Sequence, residues 1–243
     1  TGPLAEAEGL PLILQAGPSC RAHTPLPVLG QMFRHLADSV SVPVVAHLDH
    51  GYTMEDCETA LEAGFTSLMF DGSKLPLDEN IAATKAVVDL AHSAGISCEG
   101  EIGFVGYAEG EASRGTDPEE AAIFARETGV DAMAISVGNV NLQENHEGGL
   151  DAVRIAAIEA VTDVPLVIHG GSGVPVVERT RLARETAISK FNIGTELRLV
   201  FGRSLRDVLA GDPDRFDRVK ILSDVEPHIR EAARHALRTI GPA

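Results

Sequence analysis

Positive charge is scarce in this chain. Its 243 residues carry 20 lysines and arginines against 36 aspartates and glutamates, a formal net charge of −16. So acidic a surface repels nucleic-acid phosphates and anionic lipid, and excludes both as expected partners. It also repels a phosphorylated small molecule, unless the site supplies local positive potential from a metal ion or a helix N-terminus. Cysteine is scarce too. Cys20, Cys57 and Cys98 are odd in number and widely spaced. That excludes a disulfide framework and a CxxC zinc site, and points to a reducing, cytoplasmic setting. No apolar run reaches the ~20 residues needed to span a bilayer, and no signal-peptide pattern is visible. Internal repeats, low-complexity tracts and linkers are lacking as well.

What is present is alternation. Short apolar or β-branched runs, at 12–15, 42–48, 67–70, 97–102, 132–137, 164–168 and 189–193, are separated by amphipathic stretches at 55–63, 78–94, 118–128 and 152–161. Continuous apolar strands joined by helical crossovers mean a parallel sheet covered on both faces. Punctuation agrees. Gly64, Gly95 and Gly129 stand just past helix ends, where a left-handed residue is needed. Asp117-Pro118 reads as a helix start, and Pro43 and Pro165 open strands where no ladder donor is lost. Residues 4–9 read as the tail of a helix and 227–240 as a terminal one. With 44% hydrophobic residues the chain builds a sizeable core, and its length suits one α/β barrel spanning 1–243. The expected fold is therefore a (β/α)8 TIM barrel. Seven strand candidates are present where a barrel has eight, so a first strand is expected outside the sequence as given. The alternative is an open doubly wound sheet, although no Gly-rich dinucleotide loop follows an early strand.

Barrel chemistry collects at the C-terminal ends of strands. There the sequence places Asp49-His50, Asp71-Gly72-Ser73, Glu99 with Glu101, Gly138-Asn139-Val140-Asn141, His169-Gly170-Gly171-Ser172-Gly173 and Asn192-Ile193-Gly194-Thr195-Glu196. Strand alternation sets His47 and Asp49 on one face and Leu48 and His50 on the other, unless the strand has already ended. His50 reads either as a neighbour of a helix cap or as a metal ligand. A second imidazole at another strand end, His169, suits Zn²⁺ or a similar ion. The glycines after His169 let backbone approach an anion, and Ser172 adds a hydroxyl donor. Gly103, Gly106 and Gly110 permit a mobile lid that carries Glu109, which reads either as a base entering a dry site or as one more solvated acid.

In this order these motifs closely resemble the class II fructose- and tagatose-bisphosphate aldolase family, over nearly the whole chain. The resemblance rests on His47-Leu48-Asp49-His50, on Glu101 with Gly106 and Glu109, on His169-Gly170-Gly171-Ser172-Gly173, and on Lys190-Phe191-Asn192-Ile193-Gly194-Thr195-Glu196. It implies a divalent metal, usually Zn²⁺, held by His50 and His169. It also implies reversible cleavage of a ketose (bis)phosphate to dihydroxyacetone phosphate and an aldehyde. Asp49 matches the acid/base at the aldehyde-derived oxygen, and Glu109 the base on the lid. Glu101 matches an alternative, buried metal ligand, and Asp71 a residue that orients a ligand from behind. Gly138, Gly170, Gly171, Ser172, Asn192, Gly194 and Thr195 match positions that cradle substrate and phosphate. A homodimer or homotetramer is implied by the same resemblance.

The chain departs from the family pattern at the third ligand. Where the family has a Gly-x-x-His-Gly run, this sequence has Gly138-Asn139-Val140-Asn141-Leu142, and an amide is a poor Zn²⁺ ligand beside imidazole. Three readings stand open. Asn141 weakens the metal and the reaction, leaving an impaired sugar-phosphate-binding relative; or His146 substitutes as the ligand; or Glu101 serves and the site accepts a harder cation. Leu142 also replaces a glycine, and the short 107–116 loop suggests an atypical aldehyde.

Overall fold

Parallel strands buried on both faces need every inward side chain to find a partner in the middle of the sheet, and this chain meets that demand with polar residues. A computed structural model of the chain describes residues 2–106, 112–141 and 149–241. Helix α1 (Gly2–Glu8) leads into β1 (Leu12–Ala16), α2 (Pro18–His23) and α3 (Leu26–Asp38). Then β2 (Val44–Gly51), α4 (Met54–Glu62), β3 (Ser67–Phe70), α5 (Leu77–Ser93), β4 (Ser97–Ile102), α6 (Pro118–Thr128), β5 (Ala132–Ile135), α7 (Ala152–Glu159) and β6 (Leu166–Ile168) alternate. A 3₁₀ turn (Gly171–Gly173), α8 (Val176–Glu185), β7 (Ile188–Phe191), α9 (Thr195–Gly211) and α10 (Arg218–Ile240) complete the order. The seven strands form one sheet in sequential order β1 to β7, every pair parallel. Among the described residues β1 and β7 each pair on one side only.

The anticipated strands are all found, with shifted ends. The 42–48 run begins at Val44 and continues through Gly51; the 164–168 run is paired only from Leu166. Four helices carried no signal the sequence reading used: α2, α3, α8 and α9. The terminal helix begins nine residues earlier than 227, because Asp217 caps it by accepting from Val219 N at 2.9 Å, and Pro227 sits inside it. Gly64, Gly95 and Gly129 do take positive φ, at 87°, 71° and 70°, and Asp117 caps α6 by accepting from Glu119 N and Glu120 N.

Strand alternation sorts the side chains. Leu48, Leu68, Phe70, Cys98, Ile102, Met133, Ile135, Leu166 and Ile168 face outward and pack under the helices with Phe65, Phe124 and Ile158. Each such fully buried side chain stabilises the fold by roughly 1.5–3 kcal/mol. The opposite faces carry His47, Ser67, Glu99 and Glu101, all buried, beside a small cluster of Met69, Ala134 and Val167. Among the described residues no helix is long and apolar enough to cross a membrane.

Candidate metal centre

Two histidines from strands far apart in sequence meet at the C-terminal ends of β2 and β6. His50 Nε2 lies 3.1 Å from His169 Nδ1. The approach depends on an unusual backbone. His50 is the one non-glycine residue with positive φ among those described, at 53°, and the β2–β3 register shifts between Leu48 and Gly51. This bulge breaks the alternation, so Asp49 and His50 both face the site, 4.0 Å apart from Asp49 Oδ1 to His50 Nε2. Arg21 on α2 pins the bulge. Its Nη1 donates to Asp49 O at 2.8 Å, and both Nη atoms reach His50 O at 3.2 Å.

Carboxylates fix the imidazoles. His50 Nδ1 donates to Asp71 Oδ2 at 2.7 Å, and Asp71 Oδ1 in turn accepts from Ser73 Oγ at 2.6 Å. His169 Nε2 donates to Glu99 Oε1 at 3.0 Å. With both outer nitrogens protonated, the two that face each other carry lone pairs, unless one takes a further proton. His50 is that one. Although burial disfavours its charge, the hydrogen bond to Asp71 and the fields of Asp49 and Glu101 raise its pKa to about 9. Burial keeps His169 neutral, with its pKa lowered. Glu101 Oε2 lies 3.6 Å from His169 Nδ1 and 3.8 Å from His50 Nδ1. It is buried without a hydrogen-bond partner among the described residues. Burial and the neighbouring Asp71 push the Glu101 carboxyl up to about 8.

This donor set fits a cation. Asp49, His50 and His169 form one group of ligand atoms lying within 4.8 Å of one another, and His50, Asp71 and Glu101 form a second. His50, Asp71, Glu101 and Asn141 line a cavity of about 150 Å³ together with Tyr52, Lys74, Phe104 and Val105. Asn141 is thus at the site; its Nδ2 donates to Val105 O at 3.2 Å, and its backbone N donates to Gly106 O at 2.8 Å. Glu109 and His146 lie outside the described residues.

Asp49 is held from two sides. Asn192 Nδ2 donates to Oδ1 at 3.0 Å and Gln15 Nε2 to Oδ2 at 3.5 Å. Burial works against its charge, but His50, His169 and Lys190 hold its pKa below the ordinary value. The glycine turn lies alongside. Gly171 N donates to Asn192 O at 3.1 Å, and Ser172 Oγ accepts from Gly194 N at 3.2 Å and Glu196 N at 3.3 Å. Ser172 therefore caps α9, with the Gly194 and Glu196 amides both engaged by its hydroxyl oxygen. Gly138 takes φ 96°, but it is its neighbour Asn139 that reaches the centre, donating to His169 O at 3.0 Å. Sequence reasoning gave Glu99 no role, treated Lys190 only as part of a motif, and passed over Arg21. Glu99 had a usable signal: two residues before Glu101, it must share that residue's face.

Residues 3–243 match the family model described as fructose-bisphosphate aldolase class-II. The chain belongs to that family, whose members are metal-dependent aldolases. It is 37% identical over 207 residues to the fructose-bisphosphate aldolase of Geobacillus stearothermophilus, covering 84% of this chain and 72% of that protein. It is 38% identical over 206 residues to the 6-phospho-5-dehydro-2-deoxy-D-gluconate aldolase of Bacillus licheniformis, covering 84% and 70%. Among solved structures, the YdjI aldolase of Escherichia coli K12 superposes with a TM-score of 0.82 at 30% identity, covering 98% of this chain and 84% of that one.

Proposed function

We propose that this chain cleaves a ketose phosphate reversibly to dihydroxyacetone phosphate and an aldehyde, using a divalent metal, Zn²⁺ or a similar ion, held by His50 and His169. The supporting observation is the pair of imidazole nitrogens 3.1 Å apart, with Glu101 Oε2, which has no hydrogen-bond partner among the described residues, beside them. A cation bound there supplies a Lewis acid for negative charge developing on substrate oxygens. The chain's own groups do the rest. Asp49, kept ionised and aimed by Asn192 and Gln15, takes the hydroxyl proton as the carbon–carbon bond breaks and returns it in condensation. Glu109 moves the proton on the carbon nucleophile, a role that rests on the family resemblance. The Gly170-Gly171-Ser172 turn and the N-terminus of α9 hold the phosphate. Asp71 keeps His50 aimed. We further propose that an eighth parallel strand, seated between β7 and β1, closes the sheet into a (β/α)8 barrel, and that two or four copies assemble in the cytoplasm.

The test is metal analysis after zinc loading, followed by detection of dihydroxyacetone phosphate from candidate ketose phosphates. Stoichiometric metal with product release is expected. A chain that takes no metal, or releases no dihydroxyacetone phosphate from any of them, refutes the proposal. One observation favours a second reading, a relative that binds sugar phosphate without turnover: Asn141 offers the cavity an amide whose nitrogen is committed to Val105. Asn141→His discriminates, since on that reading it alone restores zinc and cleavage.

A further inference from the structure

Behind His169 lies a buried polar strut to which neither the motifs nor the proposed reaction assigns a role. Glu99 on β4 is 3% exposed. Its Oε1 accepts from His169 Nε2 at 3.0 Å, and its Oε2 accepts from Lys190 Nζ at 2.9 Å. Lys190 belongs to β7, three strands away in the sheet order, so the pair crosses the interior rather than following a ladder. His47 Nε2 stands 3.6 Å from the same Oε2, and His47 Nδ1 is tied to Ser67 Oγ at 2.9 Å. Among the described residues three nitrogens thus surround the Glu99 carboxylate, and His169 is the one that faces the centre.

We propose that Glu99 is a positioning residue that selects the tautomer of His169, and that Lys190 holds Glu99 in place for that task. A carboxylate can only accept, so His169 must carry its proton on Nε2 and turn the bare Nδ1 toward His50 and Glu101. Without the carboxylate, Nδ1–H could donate to Glu101 or His50, and the lone pair that faces the centre would be lost. Lys190 engages the second oxygen and so stops Glu99 from swinging toward His47. The inference rests on the metal-centre reading for its purpose, but the tautomer itself exists without metal.

The experiment uses Glu99→Gln, Lys190→Met and Lys190→Arg in the full chain, with two readouts. Nitrogen-15 NMR of the metal-free protein reports which His169 nitrogen is protonated. Competition with a chelator reports the zinc dissociation constant. The wild type is expected to show Nε2–H. Glu99→Gln, whose amide can donate to Nε2, is expected to shift His169 toward Nδ1–H and to weaken zinc binding by roughly 10–100-fold, the range for outer partners of metal-bound histidines. Lys190→Met should weaken binding in the same sense, and Lys190→Arg should recover most of it. A wild type protonated on Nδ1, or a Glu99→Gln protein that folds and binds zinc as tightly as the wild type, overturns the proposal. Should Glu99→Gln fail to fold, the Lys190 pair decides, with equal zinc affinity in Lys190→Met and wild type the refuting result. A wild type that takes no zinc sinks the metal-centre reading instead, and the NMR result then judges the positioning role alone.

Discussion

Gly170→Ala separates two physical effects that usually arrive together. Gly170 follows His169 with φ 64° and ψ 23°. Gly129, at the end of α6, has nearly the same backbone, φ 70° and ψ 30°. A Cβ at Gly129 meets nothing within 4 Å, whereas a Cβ at Gly170 lies 2.3 Å from Val140 O and 2.7 Å from Val140 C. The left-handed conformation costs alanine roughly 1–2 kcal/mol, partly offset by roughly 0.4–1 kcal/mol from the stiffer unfolded chain. Gly129→Ala should therefore destabilise by roughly 0–1.6 kcal/mol. At Gly170 the contact must also open by roughly 1 Å to reach ordinary van der Waals distance, and backbone displaced by overpacking costs typically 1–3 kcal/mol more. Asn139, bonded to both Ile135 O and His169 O, resists that opening. Urea unfolding of the metal-free proteins should place Gly170→Ala about 1–3 kcal/mol below Gly129→Ala. The displaced segment carries His169 and Asn141, so zinc affinity should fall in Gly170→Ala and not in Gly129→Ala. Equal destabilisation of the two variants would show that the close approach of Val140 is not under constraint, and the reasoning fails.

Other consequences follow from the same geometry. Asp49→Ala should reduce cleavage by about 10²–10⁴-fold while sparing proton exchange on dihydroxyacetone phosphate; equal losses in both would contradict its place at the aldehyde-derived oxygen. Glu109→Ala should do the reverse, abolishing exchange with metal content unchanged, and retained exchange would move the lid base elsewhere. The metal-free protein should lose stability as pH rises from about 6.5 to 8. In that window native His50, raised from 6.5 to about 9, and native Glu101, raised from 4.5 to about 8, still hold protons that the unfolded chain has released, so native binds more protons than unfolded and the slope is negative. Zinc, which replaces those protons, should flatten or reverse it, and thermal melts across the window with and without zinc measure both slopes.

Much of this centre was legible because barrel strands repeat with period two and end in polar residues. His169, Asp71, Glu101 and Asn192 were found at strand ends and do converge, and Gly129 and Asp117 announced helix boundaries through chemistry local to the chain. Alternation misled at one place. It put His50 opposite Asp49, and the register shift between Leu48 and Gly51 brings them together. The cause is tertiary: Arg21 on α2, 28 and 29 residues back in the sequence, holds two carbonyls of the bulge. A Cβ at Gly51 would lie 2.8 Å from Met69 O, so the tight passage that follows the bulge was written in the sequence but readable only with β3 in place. Helices α8 and α9 were passed over because α8 is rich in charge and α9 starts directly from the Asn192-Ile193-Gly194 motif, which drew attention to chemistry rather than periodicity.

The charge balance of the interior ties the separate observations together. Asp49, Asp71, Glu99 and Glu101 are four carboxylates within one connected set of contacts; Lys190 pairs with Glu99, and Lys74 lines the cavity that Asp71 and Glu101 share. Buried carboxylates left uncompensated cost several kcal/mol each, so the fold must import positive charge. Without metal it does so with protons, which is why His50 and Glu101 both hold theirs to higher pH while Glu99, beside the ammonium, gives its own up despite burial. Both groups lie among the ligand atoms His50 Nε2, His169 Nδ1 and Glu101 Oε2, where a bound cation would take the place of those protons. Clustered carboxylates and imidazole nitrogens thus favour a cation by electrostatics as well as by ligand type. Asn141, which removes an imidazole and no charge, leaves that demand unchanged.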